Sequence, residues 1–193
     1  MERVPPPRRD LTRAEVVGRA LALVDTGGLA ACTVRALAGE LGVTPMALYW
    51  HVQGKEGLFA AVLDAVLAEI PTDRLPDDPF EALATGARRY REAFVRHPNA
   101  APLLARFAMP TGEVALGIMA MMLDLLVIAG LDETERMCGY LLLAQFVMGS
   151  VLTEHDVELP DGLGGRPVPP ADERFEFGLS CVLAGLRARA GGR

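Results

Sequence analysis

The chain has 193 residues, 51% of them apolar but only 6% aromatic, and a formal net charge of −6. That length suits one large domain or two small ones, and the dominance of Ala and Leu over β-branched and aromatic residues points to an all-α fold. The acidic balance excludes a simple nucleic-acid coat protein, yet it is uneven: residues 1–60 hold seven basic groups against six acidic, and the remainder holds twelve against nineteen, so the N-terminal part can approach phosphates that the rest repels.

Residues 1–10 are rich in Pro and Arg and are expected to form a disordered arm. A capping box, Thr12-Arg13-Ala14-Glu15, then opens a first helix, with Val17, Leu21 and Val24 as its apolar stripe and Gly27-Gly28 as its stop. A second helix starts at Thr33, buries Val34, Leu37, Ala38 and Leu41, and ends at Gly42. Only Val43 separates that stop from a new cap, Thr44, with Pro45 at the favoured first position. This third helix, Pro45–His51, is short. A fourth runs from about Lys55 to Ile70. The Pro- and Asp-rich break 71–79 marks a hinge, and Asp78-Pro79 opens a fifth helix that lasts to about His97. A short helix near 101–107 follows, then helices at about 112–129, 133–155 and 171–190, the last two separated by a Gly- and Pro-rich loop.

Three distant cysteines (Cys32, Cys138, Cys181) have no metal-ligand spacing and read as reduced, semi-buried thiols of a cytosolic protein. The first ten residues contain no apolar signal region. The most membrane-like stretch, 114–131, carries Asp124 at its middle and reads as a buried helix, so no membrane partner is expected. No GxSxG, P-loop, GxGxxG or HExxH occurs, and three isolated histidines leave little for catalysis. The expectation is a non-enzyme with neither metal nor cofactor.

Two short helices meeting at a Gly-Val turn in 33–51 form a helix-turn-helix, whose second helix enters the DNA major groove. Thr33, Arg35 and Thr44 lie at or near helix N-termini, where free N–H groups hold phosphates. The residues 11–63 resemble the DNA-binding domain of TetR-family repressors: Gly28-Leu29, Thr33-Val34-Arg35, Ala38 with Leu41-Gly42-Val43, Leu48-Tyr49-Trp50-His51-Val52, and Lys55 with Leu58 stand at the family's spacing. The run 48–52 resembles the tetracycline-repressor branch in particular, and 174–186 is similar to the last dimerisation helix of that branch.

The resemblance implies a homodimer that binds double-stranded, palindromic operator DNA and is released by a small molecule. It implies that Arg35, Thr44, Pro45, Met46 and Ala47 face base edges, and that Tyr49, Trp50, His51 and Lys55 hold phosphates. Each has a plainer reading: Tyr49 and His51 as packing, Trp50 as an exposed ring without a role, Arg35 as a solvated charge. Arg8 and Arg9 are either a minor-groove arm or a tail without function. Domain bounds are expected at 11–56 for the head and 57–193 for the ligand-binding and dimerisation body.

The helices at 112–129 and 133–155 carry more apolar surface than one stripe requires. Phe107, Met109, Met119, Met121, Met122, Tyr140, Phe146 and Met148 are candidate pocket residues, with ordinary core as the alternative for each. Arg106, Gln145, His97, Glu154 and His155 are polar candidates in apolar context, His97 also as a helix cap. Phe175, Leu179, Val182, Leu183 and Leu186 are the expected dimer contacts, with Gly178, Ser180 and Gly185 allowing close approach. The tetracycline-repressor branch holds its magnesium-drug complex through a histidine before the seventh helix. The stretch 105–111 has none, so an apolar, aromatic or polyketide-like effector is the better expectation. A constitutive DNA-binding regulator, or an activator without an inducer, is the alternative.

Overall fold

Polar caps set where the helices begin. In the computed structural model, which describes residues 11–107, 112–156 and 167–192, α1 (Arg13–Ala31) starts on a complete capping box: Glu15 N–H donates to Thr12 Oγ1 at 3.2 Å, and Thr12 N–H donates to Glu15 Oε2 at 2.9 Å. Gly28, at φ +69°, breaks α1 at the expected place, but a further helical turn follows before the chain leaves at Cys32. Thr33 caps α2 (Val34–Leu41) through Ala36 N–H, 3.1 Å away. α3 (Pro45–Tyr49) and α4 (Gly54–Ala68) complete the N-terminal part.

α5 (Pro79–Arg96) is capped by Asp78 Oδ1, which accepts from Phe80 and Glu81 N–H at 3.0 and 2.9 Å. A 3₁₀ turn at Pro98–Ala100 leads into α6 (Pro102–Arg106), then α7 (Glu113–Ile128) and α8 (Glu133–Asp156). Asp132 and Glu135 cap α8 reciprocally. α9 (Ala171–Gly191) closes the fold. The described residues contain no strand, and the fold is all-α.

Two clusters fill the interior. The first joins Val16 and Val24 of α1, Leu37 of α2, Leu48 of α3 and Leu58, Val62 and Val66 of α4 to Phe94, Leu103 and Val151 of the C-terminal helices. Each of these large side chains removed from water contributes about 1.5–3 kcal/mol, and α4 is common to head and body. The second gathers Phe80 and Leu83 of α5, Leu126 of α7, Tyr140, Leu143 and Val147 of α8, and Phe175, Leu179 and Leu186 of α9.

α9 requires a correction. Phe175, Leu179 and Leu186, expected at a dimer interface, are buried within the chain, and Val182 and Leu183 pack partly against the same cluster. The helix has a second side, on which Phe177 is 73% exposed beside the exposed Ser180, Cys181, Ala184 and Ala188. Gly178 serves an internal contact: a Cβ there would meet Phe146 at 2.4 Å. Cys138 and Cys181 are likewise exposed, and only Cys32 is a core thiol. α8 is long and apolar enough to cross a membrane by length and composition. Its apolar residues divide among the second cluster, the first cluster (Val151, with Met148 and Leu152 packed against it) and an exposed stripe that includes Cys138, Leu142 and Gly149.

Candidate nucleic-acid interface and ligand cavity

The turn between α2 and α3 is tight because Gly42 takes the left-handed conformation (φ 68°, ψ 30°), where a Cβ would be strained. Val43 N–H closes the turn on Ala38 C=O at 3.0 Å. α3 is held by one fully buried residue, Leu48. With Leu48 inward, the neighbouring side chains have no place in the core. Met46 is 69% exposed, Tyr49 52% and Trp50 87%. Thr44, Pro45 and Arg35 are exposed, while Ala47 and His51 are half-buried. An exposed packing ring buries little, so Tyr49 and Trp50 are not held here by the interior of the chain.

The two threonines differ. The Thr33 hydroxyl is engaged in capping α2, whereas Thr44 makes no side-chain cap to α3. Lys55 stands in the first turn of α4 with its Nζ 5.2 Å from the Phe59 ring centre and its ammonium on the surface. Arg35, Thr44, Met46, Tyr49, Trp50 and Lys55 thus all lie on the surface of the helix-turn-helix and the turn after it.

The body ties itself to this head at three places. His97, at the C-terminus of α5, sits between two carboxylates: Nδ1 is 3.0 Å from Asp25 of α1, and Nε2 is 3.1 Å from Glu69 after α4. Burial lowers the His97 pKa, but hydrogen bonds to Asp25 and Glu69 outweigh it and raise it above 6.5. Asn99 donates to Asp25 C=O at 2.8 Å. Arg106 donates from Nε to Glu56 Oε2 at 2.9 Å and also contacts Oε1, pinning α6 to the first turn of α4.

Above α4 lies a cavity of about 350 Å³, walled by α4, α5, α7 and α8 with Leu104 and Phe107, a size that suits a drug-sized molecule. Phe107, Met119, Met121, Met122, Tyr140, Gln145 and Met148 line it. Phe146 does not: its ring stacks on Phe175 at 5.5 Å, in the second cluster. Arg106 is likewise absent from the lining, because Glu56 holds it outward. Glu154, another polar candidate, accepts from Arg91 at 2.7 Å in an α5–α8–α9 ion cluster with Asp172. Met109, the arm with Arg8 and Arg9, and the side chain of His155 lie outside the described residues.

Two polar side chains that are not among the sequence candidates also line it, Asp64 and Tyr90. Asp64 had a signal, since it is a single charge within the apolar run 58–68 of α4. Burial, with the Tyr140 phenol nearby, pushes the Tyr90 phenol far above its usual range, and burial also raises Tyr140. Both phenols therefore keep their protons near neutral pH and can donate into an otherwise apolar space.

The family described as bacterial regulatory proteins, tetR family, matches residues 17–62, and the tetracyclin repressor-like C-terminal domain matches residues 74–166. The tetracycline repressor protein class A from transposon 1721 of Escherichia coli is 30% identical, over 90% of this chain and 89% of its own. Among solved structures, ActR of Streptomyces coelicolor in complex with actinorhodin superposes with a TM-score of 0.83 at 29% identity, covering 95% of this chain and 100% of ActR. BioQ with its double-stranded DNA operator gives a TM-score of 0.77 at 29% identity, covering 93% and 99%. Both halves of the molecule, head and body, therefore carry the same ancestry, and the chain belongs to the TetR family of DNA-binding transcriptional regulators and is not an enzyme.

Proposed function

We propose that this regulator is a homodimeric repressor which binds a palindromic operator in the bacterial cytoplasm and releases it when a small, largely apolar molecule fills the cavity. The observation that carries the reading is the double duty of α4. Its first turn presents Lys55, and its later turns wall the cavity through Ala60, Leu63, Asp64 and Leu67. A ligand that displaces α4 moves the head. Similar proteins support both halves of the reading, ActR with actinorhodin bound and BioQ with its operator.

In this reading Arg35, Thr44, Pro45, Met46 and Ala47 meet base edges, Arg35 pairing with a guanine. Thr33, Tyr49, Trp50, His51 and Lys55 meet phosphates and set the docking angle. The head is residues 11–56 and the body 57–193, with α4 as the lever between them. The uncovered stripes of α8 and α9, with Leu142 and Phe177 foremost, form the dimer interface as a four-helix arrangement. Two recognition helices in one dimer reach half-sites about 34–36 Å apart or a multiple of that. A displacement of α4 by a few ångströms costs contacts at both.

Selection from random-sequence DNA at a stated salt concentration tests this. The expected result is one enriched, roughly palindromic site, lost in Arg35→Ala and Tyr49→Ala. An enriched site without two-fold symmetry would contradict the dimer, and enrichment unchanged in both variants would contradict the recognition surface.

A further inference from the structure

Asp64 is the one charged side chain among the described residues that line the cavity. It stands in the middle of α4, in a lining that also includes Leu63, Leu67, Met119 and Met122. Among the described residues it has no ion-pair partner. Its single hydrogen bond is long: Oδ1 accepts from Ala115 N–H at 3.4 Å, in the first turn of α7. The carboxylate packs directly on Gly112, where a Cβ would come within 2.1 Å of Oδ1. Gly112, the N-cap of α7, has no side chain to offer, so Asp64 stands in weakly for a cap.

This leaves Oδ2 without a partner among the described residues. A carboxylate half removed from water and poorly compensated is costly, and a cation placed against it recovers that cost. The described lining offers no basic side chain to pair with an anion, whose charge Asp64 would repel. The aromatic residues Tyr90, Tyr140 and Phe107 are also in the lining, and aromatic faces attract cations. From this we infer that the effector is an apolar amine, whose protonated nitrogen pairs with Asp64 while its hydrocarbon body fills the methionine- and leucine-lined space. The pairing acts on α4 itself: the amine takes the oxygens that otherwise lean on the start of α7, and so works on the helix that leads to the head. This inference rests on the cavity being the effector site, as proposed above.

Three fluorescent probes of one shape separate the possibilities: 1-pyrenemethylamine, 1-pyrenemethanol and 1-pyrenecarboxylate. Titrated into the full-length protein at neutral pH and read by fluorescence anisotropy, the amine is expected to bind about tenfold or more tightly than the alcohol, and the carboxylate most weakly. Asp64→Asn keeps an oxygen for Ala115 N–H and removes the charge. In that variant the amine should lose its advantage while the alcohol binds as before, with helix content unchanged by circular dichroism. If the alcohol or the carboxylate matches the amine in the wild-type protein, or if the preference persists in Asp64→Asn, the amine proposal falls and the effector site stands. If none of the three binds, both fall together.

Discussion

The head and the body of this regulator use apolar side chains in opposite ways. In the head, α3 is anchored by a single buried leucine, and its other large residues, Met46, Tyr49 and Trp50, point at solvent and hold nothing inside. In the body, the proposed effector site is a hole, and the residues around it, such as Leu83, Leu143 and Val147, are also the core. If the cavity is the effector site, binding and stability are separable in the head and entangled in the body.

The largest effect tests the anchor. Leu48→Ala removes a side chain with no exposure from the first cluster and should cost about 2–5 kcal/mol in urea unfolding, taking operator binding with it. Arg35→Ala, exposed on the same motif, should leave unfolding within about 0.5 kcal/mol yet weaken binding to the selected operator by about 1–3 kcal/mol in a gel-shift or anisotropy titration. A matching loss of stability in Arg35→Ala would break the separation. In the body, Gly178→Ala forces a methyl to within 2.4 Å of Phe146. Overpacking of this kind costs about 1–3 kcal/mol, and a lowered thermal midpoint should come together with weakened binding of the pyrene probes.

The smallest effect concerns the clasp where the two regions meet. With Asp25 beside one ring nitrogen and Glu69 beside the other, the folded protein favours the protonated ring of His97. A pKa raised in the folded state contributes stability that is complete below the unfolded value of 6.5 and fades as pH rises through the folded one. The stability gap between wild type and His97→Gln should therefore be wider at pH 6 than at pH 9. A gap that widens with pH would show that the carboxylates do not hold a charged ring.

The helices were legible because their ends are written locally. Thr12 with Glu15, Thr33, Gly42, Pro45 and Asp78 each act within a few residues, and the structure uses all of them. What spacing does not carry is which of two apolar sides faces inward. α9 shows this: Phe175 and Leu179 match an interface stripe as well as a core stripe, and only packing against α5 and α8 decides. Pairings across many residues are equally hidden. Arg106 reads as a ligand contact until Glu56, fifty positions earlier, is seen to hold it. Four of the five candidate methionines (Met119, Met121, Met122 and Met148) and the Tyr140 phenol line the cavity, since a helix apolar on all sides must place the surplus somewhere. Phe146, on the same helix, went to Phe175 instead.

In the proposed mechanism the cavity and the head are linked through α4, and such linkage is reciprocal. The most direct measurement is the affinity of 1-pyrenemethylamine for the protein with and without saturating operator, set beside the affinity for operator with and without saturating amine. Operator and amine are each expected to weaken the binding of the other by the same factor. Identical amine affinity in the presence and absence of operator would contradict the proposed linkage.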